Sequence, residues 1–213
     1  MIAIAHRGAS ALKTENTFEA FALAIKMGSK WFETDVQRTQ DGVLVLYHDF
    51  SLRGRAIPET VYPGSGLTRL DELLDILPHD GILNIEIKEE PPYLYPGIAA
   101  QILALLDTYE LGIRGRILIS SFHYPVLQEV RALDKDIKIG VLTRKFDLSQ
   151  VLAVNAYSVN INKNRVTADI VKACHENGLK VLVYTVNDKE EAKRMEAMGV
   201  DGIFSDFPDI LAK

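Results

Sequence analysis

"ENTFEAFALAIKMGSKWFETD", residues 15–35, reads as a helix, a stop and a strand in succession. Asn16 or Thr17 can cap a helix whose apolar face is Phe18, Phe21, Ala22 and Ile25, and Gly28 can close it. The same unit returns in "VTADIVKACHENGLKVLVYTVN", residues 166–187, with Thr167 as cap and Gly178 as stop, and again from Asn187 to Gly199. Strands alternating with helices of ~10–15 residues build parallel βα units.

Working outward, eight apolar runs have strand character: Ile2–His6, Trp31–Val36, Leu83–Ile87, Arg116–Ser121, Lys138–Leu142, Tyr157–Ile161, Lys180–Thr185 and Gly202–Ser205. Helical patterns follow most of them, the last being only the short Pro208–Ala212 tail. Eight parallel strands predict a (β/α)8 TIM barrel, a single domain over residues 1–213 and small against the ~250 residues typical of that fold. An open doubly wound sheet would want a G-x-G-x-x-G turn after its first strand, and "HRGAS" is not one. In "TQDGVLVLYHD" the Asp41-Gly42 turn predicts a hairpin that extends the second strand, not a ninth barrel strand. The irregular stretch Asp49–Leu67 reads as a short insertion over the barrel mouth.

The 213 residues are 47% hydrophobic and 25% charged, an ordinary balance for a soluble globular chain. A net charge of −5 argues against a nucleic-acid surface. No apolar run approaches the ~20 residues of a membrane span. "MIAIAHRGAS" has neither the basic region nor the long apolar region of a signal peptide, so a cytoplasmic location is expected. The lone Cys174 falls in a helical pattern with Ile170 and Val171 and reads as a small core residue.

Residues two apart share a face of a strand, and those near the C-terminal ends of barrel strands reach the mouth. Glu33 and Asp35 share a face of the second strand; Asn84, Glu86 and Lys88 share one of the third. His6 ends the first strand with Arg7 behind it, and the hairpin ends in His48-Asp49. Burying such groups unpaired would cost several kcal/mol each, so they are expected to partner one another. Three carboxylates at one mouth repel, and a divalent cation relieves them. With oxygen ligands and no thiolate, Glu33, Asp35 and Glu86 suit Mg²⁺, Ca²⁺ or Mn²⁺ rather than structural zinc. Arg7 and Lys88 beside a metal are what a phosphate group needs. His6 and His48 belong to the side-chain type best suited to moving protons near neutrality. Each feature alone has a plainer reading: a core imidazole, a solvated strand end, an ion pair plugging the barrel. Together, on successive units, they point to phosphoester cleavage. His79, His123 and His175 are assigned no chemistry, although His123, just after the fourth strand, is placed at the mouth.

At these residues the sequence resembles the glycerophosphodiester phosphodiesterase family. The matching pieces are "HRG" at 6–8, "ENT" at 15–17, "ETDVQRTQDGVLVLYHD" at 33–49, "EIK" at 86–88, "SSF" at 120–122, "VYTVN" at 183–187 and "SDFPD" at 205–209, in the family's order. The resemblance implies a TIM-barrel phosphoric diester hydrolase. It would split small-molecule glycerophosphodiesters, with a divalent cation, into an alcohol and sn-glycerol 3-phosphate. It implies that His6 and His48 are the acid/base pair, that Glu33, Asp35 and Glu86 hold the metal, that Arg7 and Lys88 contact the phosphate, and that Phe122 and Tyr184 wall the substrate pocket. The family often has Trp where Tyr184 stands, and many relatives carry a longer insertion between Asp49 and Leu83, so a more open mouth is expected here.

Tyr93, Leu94 and Tyr95 in "EEPPYLYPG" could contact an apolar or choline-like group or pack as a Pro-rich connection. Two other functions compete: a lysophospholipase D-type activity on lysophospholipids, and a non-catalytic phosphodiester-binding barrel. A sugar-phosphate isomerase or aldolase would want a Gly-rich phosphate loop after the seventh or eighth strand; "YTVNDK" and "FSDFPD" do not supply one, and Asp206 would repel phosphate there. Oligomeric state is left open.

Overall fold

A computed structural model describes residues 1–109 and 112–212. Strands β1 (Ile2–His6) and β2 (Trp31–Arg38) are followed by four short pieces, β3 (Leu44–Leu46), β4 (Ser51–Leu52), β5 (Arg55–Ala56) and β6 (Thr68–Arg69). Then come β7 (Ile82–Ile87), β8 (Ile117–Ser121), β9 (Lys138–Thr143), β10 (Ser158–Asn162), β11 (Lys180–Tyr184) and β12 (Gly202–Ser205). β1, β2 and β7 to β12 pair in parallel in that order, and β12 returns to β1, so the sheet closes into the expected eight-stranded barrel. β3 lies antiparallel on the end of β2, as the Asp41-Gly42 turn requires. β4 and β5 form a small separate hairpin within the insertion.

Helices α1 (Phe18–Lys26), α2 (Leu70–Ile76), α3 (Ile98–Leu106), α4 (Tyr124–Leu133), α5 (Leu148–Ala153), α6 (Ala168–Glu176) and α7 (Lys189–Ala197) form the outer layer. Their starts follow local chemistry. Thr17, Asp147, Thr167 and Asp188 each accept a hydrogen bond from a first-turn N–H, worth about 1 kcal/mol apiece. α1 is rotated from its expected face: it buries Ala20, Phe21 and Ala24, while Phe18 is 46% exposed at the first position. The cause is close approach, since Ala20 packs directly on the Gly8 backbone. Among the described residues, the tail after β12 forms turns and no helix. Cys174 is fully buried in α6.

Alternation separates two cores. Outward strand residues such as Phe32, Ile85, Ile119 and Val181 join the helices in the large core. Inward Ile4, Leu118, Leu182 and Phe204 fill the barrel, with Ile2, Trp31, Tyr157 and Tyr184 against them. Above this apolar plug the inward positions turn polar, with Glu33, Asp35 and Asn84 buried there.

Candidate active site

β1 enters the mouth at His6 and the chain turns at once. Arg7 and Asn16 adopt positive φ, 57° and 56°, uncommon for residues other than glycine. Gly8 has φ 84°, and a Cβ there would stand 2.7 Å from the Ala20 carbonyl carbon, so "HRG" requires its glycine for both reasons. The turn folds Arg7 back over β2. Its N–H donates to the Glu33 carbonyl and to Glu33 Oε2, both at 3.0 Å, and its guanidinium donates to both oxygens of Glu15. Arg7 Nε lies 3.0 Å from Asp35 Oδ2 as an ion pair without hydrogen-bond alignment. Asp35 Oδ2 takes its hydrogen bond from Asn16 Nδ2 at 2.9 Å, while Asn16 Oδ1 accepts from the Thr34 hydroxyl at 2.8 Å. Asn16 therefore orients Asp35, and Thr17 is the residue that caps α1.

Strand register brings the acids together. Asp35 stands opposite Glu86 on β7, and Glu33 stands between Asn84 and His6 on its two neighbours. Ligand atoms of Glu33, Asp35 and Glu86 all lie within 4.8 Å of one another. Burial, then the charge of Asp35, pushes Glu33 well above the usual carboxylate range and Glu86 to about 7. Asp35 is held low: against its own burial, Arg7, Lys88 and His48 outweigh the penalty. Its Oδ1 is buried without a hydrogen bond, with Lys88 Nζ at 3.7 Å. Lys88 reaches Glu86 at 3.0 Å. An all-oxygen trio that drives two of its members toward protonation, and keeps an orphaned carboxylate oxygen, is short of positive charge at one point. That donor set fits a hard divalent cation.

Both mouth histidines use Nδ1 on a carboxylate. His6 Nδ1 is 2.6 Å from Asp206 Oδ1, and His48 Nδ1 is 2.8 Å from Asp49 Oδ1. An ionised carboxylate only accepts, so Nδ1 carries the proton and Nε2 is left with its lone pair. His6 Nε2 lies 3.9 Å from Glu33 Oε2. Asp206 also accepts from Ser10 Oγ at 3.1 Å and Asn187 Nδ2 at 2.5 Å. Although burial opposes it, the His6 contact brings Asp206 down to about 2. Its stabilising contribution is thus present above the ordinary carboxylate range and is lost as pH falls toward about 2. Asp206, beside which the sequence reading expected no phosphate loop, is committed to His6.

The turn carrying His48 is fixed from behind. Gln37 Nε2 donates to the carbonyls of Tyr47 and Asp49, each at 2.8 Å, and Gln37 Oε1 accepts from Tyr95 Oη at 2.7 Å. Tyr95, a candidate substrate contact in the sequence, is 2% exposed: its phenol is consumed in buttressing that turn. Tyr93 stacks on Phe50, ring centroids 5.1 Å apart. His123 binds Glu89 at 2.9 Å, at the start of α4.

A cavity of 230 Å³ gathers His6, Arg7, Glu33, His48, Glu86 and Lys88, together with Asn84 and an apolar wall of Phe122, Leu142, Tyr184 and Phe204. Phe122 and Tyr184 meet edge-on, centroids 6.0 Å apart. An outer lobe of 260 Å³ shares His48, Glu86, Lys88 and Phe122 and runs out past Phe50, Glu90 and Arg144. All nine residues singled out in the sequence are thus at one place. Among them Asp35 alone lies off the cavity surface, behind Glu33 and Glu86. Asp206, Gln37 and Asn16 complete the arrangement and carried no functional signal beyond lying in or beside matched motifs.

Known proteins share this fold. The chain matches the model of the glycerophosphoryl diester phosphodiesterase family over residues 6–56 and 52–210. It is 33% identical to a glycerophosphodiester phosphodiesterase of Caldanaerobacter subterraneus subsp. tengcongensis, covering 99% of this chain and 96% of that one. It is 32% identical to one of Bacillus altitudinis, covering 98% and 96%. Among solved structures, a phosphodiesterase of Oleispira antarctica in complex with the product sn-glycerol-3-phosphate superposes with a TM-score of 0.88 at 27% identity, covering 98% and 94%. With a family model and relatives of this identity running from end to end, the chain belongs to the glycerophosphoryl diester phosphodiesterase family.

Proposed function

We propose that the enzyme hydrolyses glycerophosphodiesters to an alcohol and sn-glycerol 3-phosphate. The observation that carries this reading is the convergence of three carboxylates, two cations and two imidazoles on one cavity. Glu33, Asp35 and Glu86 would hold a divalent cation, Mg²⁺ or Ca²⁺, which when bound draws charge off the phosphoryl oxygens. Arg7 and Lys88 bind non-bridging oxygens and offset negative charge as it grows. Asp35 and Glu86 in turn keep both cations charged and aimed. His6 borders the deep cavity alone, with its proton fixed on Nδ1 by Asp206, so Nε2 accepts the proton of the nucleophile, whether water or the glycerol 2-hydroxyl. His48 stands where the two lobes meet and gives a proton to the leaving alkoxide. The apolar wall and the plug beneath lower the local polarity on that side of the cavity, which strengthens these interactions there.

The test is a panel of glycerophosphodiesters and lysophospholipids assayed with several divalent ions, quantifying both products. Equimolar alcohol and sn-glycerol 3-phosphate from the small diesters is the expected result. Head-group release from lysophospholipids alone would replace this reading with a lysophospholipase D activity, and no turnover of either would leave a binding barrel.

Asp206 is a positioning residue in this scheme. Asp206→Asn removes the charge and lets the carboxamide offer an N–H where His6 needs an acceptor. kcat should fall about 10²-fold or more with KM little changed, while the melting temperature moves by a few degrees at most. A KM defect with kcat preserved would assign Asp206 to substrate binding instead.

A further inference from the structure

His48 is held less directly than His6. Its Nδ1 partner is Asp49, in a pair whose side chains are 36% and 72% exposed, and an ion pair so open to water fixes little. The place of the ring therefore depends on the backbone of its turn. Three hydrogen bonds tie that backbone to β2. Tyr47 N–H donates to the Asp35 carbonyl at 3.0 Å, and the carbonyls of Tyr47 and Asp49 take the two amide hydrogens of Gln37. An amide can sit either way round. Turned over, Gln37 would set its oxygen against two carbonyl oxygens, which donate nothing, and the turn would lose both bonds.

The Tyr95 hydroxyl decides the sense of that amide, because it donates to Gln37 Oε1. Both side chains are buried. Burial, then the charge of Glu89, pushes the phenol above its ordinary range, which keeps it a donor. Tyr95 is itself pinned. Its N–H donates to Glu89 Oε1 at 2.5 Å, Glu89 Oε2 is bonded to His123 Nδ1 at 2.9 Å, and the Tyr95 carbonyl accepts from the Ile98 N–H at the start of α3. The hydroxyl is thus presented from a fixed base, with Glu89 and His123 behind it. We propose that Tyr95 is a positioning residue for His48: without touching substrate, it fixes through Gln37 the turn from which the imidazole gives its proton to the leaving alkoxide. This rests on the glycerophosphodiester reading above.

The test is Tyr95→Phe, which keeps the ring and deletes the donor. On a glycerophosphodiester of an alkyl alcohol, kcat should fall about tenfold or more with KM within about threefold of wild type. On glycerol p-nitrophenyl phosphate, whose phenolate leaves unprotonated, kcat should stay within about twofold of wild type. Placed on His48→Ala, the substitution should cost nothing further on the alkyl diester, since the group it positions is gone. A loss of stability alone would produce neither the difference between leaving groups nor the silence of the double variant. Assays are run well below the melting temperature of each variant, followed by circular dichroism. If Tyr95→Phe does not fold, Tyr95→Phe combined with Gln37→Leu serves, because it removes the clamp without stranding a buried polar atom. Equal losses on both esters, an additive loss on top of His48→Ala, or wild-type rates on both esters would overturn the proposal. No hydrolysis by the wild type, or near-normal turnover of the alkyl diester by His48→Ala, would fell the parent reading and this inference with it. If both of those controls behave as expected and Tyr95→Phe does not, only this inference fails.

Discussion

His6→Ala and His48→Ala should each lower kcat by about 10²–10⁴-fold with the fold preserved. Both rings stand at the mouth above the apolar plug, so removing either leaves the two cores untouched. Their roles should separate by leaving group. With glycerol p-nitrophenyl phosphate the departing phenolate needs no proton, so the His48→Ala defect should shrink to within about tenfold of wild type. The His6→Ala defect should remain, because the nucleophile still has to lose its proton. The double variant should lose little more than the worse single one, since the residual rate then comes from cations and binding alone. Near-normal turnover by either variant on a natural diester would remove that histidine from the chemistry, and the opposite leaving-group pattern would exchange their roles.

Excess EDTA should abolish turnover and Mg²⁺ or Ca²⁺ should restore it, and the carboxylate trio should reveal itself in stability as well as rate. Without an ion, Glu33 is buried against Asp35 and Glu86 and held well above the usual carboxylate range by burial and then by their charge. Glu33→Gln relieves that repulsion and can still accept the Arg7 N–H. In EDTA the variant should therefore melt no lower than wild type, and by about 1 kcal/mol higher if the repulsion is fully relieved. Adding the ion should reverse the order. A ligand at 100 times its dissociation constant stabilises the wild type by about 2.7 kcal/mol, and the variant, one charged ligand short, should gain far less. Full activity in excess chelator would rule the metal out. A variant that melts early in EDTA yet responds normally to the ion would place the ion elsewhere.

Much of this molecule was legible in its local pattern. Strand and helix alternate with distinct apolar periods, and Gly28 and Gly178 end helices through positive φ, so the barrel followed from counting. The period-two alternation also exposed the trio: acids at 33, 35 and 86 cannot be outward in a strand whose other face, Phe32, Ile85 and Ile87, is pure core. The order of the matched motifs supplied the glycerol, which no side-chain argument did. The local pattern failed where a single residue had two possible surroundings. Phe18 fits a helical stripe but is exposed, because α1 approaches the barrel at Gly8 and only alanine fits there. Tyr95 fits a loop at the mouth but is buried, because Gln37 draws its hydroxyl inward.

What the sequence by itself determined is which side chains leave each strand on which side, since that depends only on neighbours a few residues away. What only the tertiary structure decided is who meets whom across the closed barrel. His6 finds Asp206 two hundred residues on because β12 returns to β1, and Gln37 clamps the His48 turn through three carbonyl and phenol contacts from separate segments. Pairing across a sheet is fixed by register and closure, which are properties of the whole ring of strands, and no single stretch of chain encodes them.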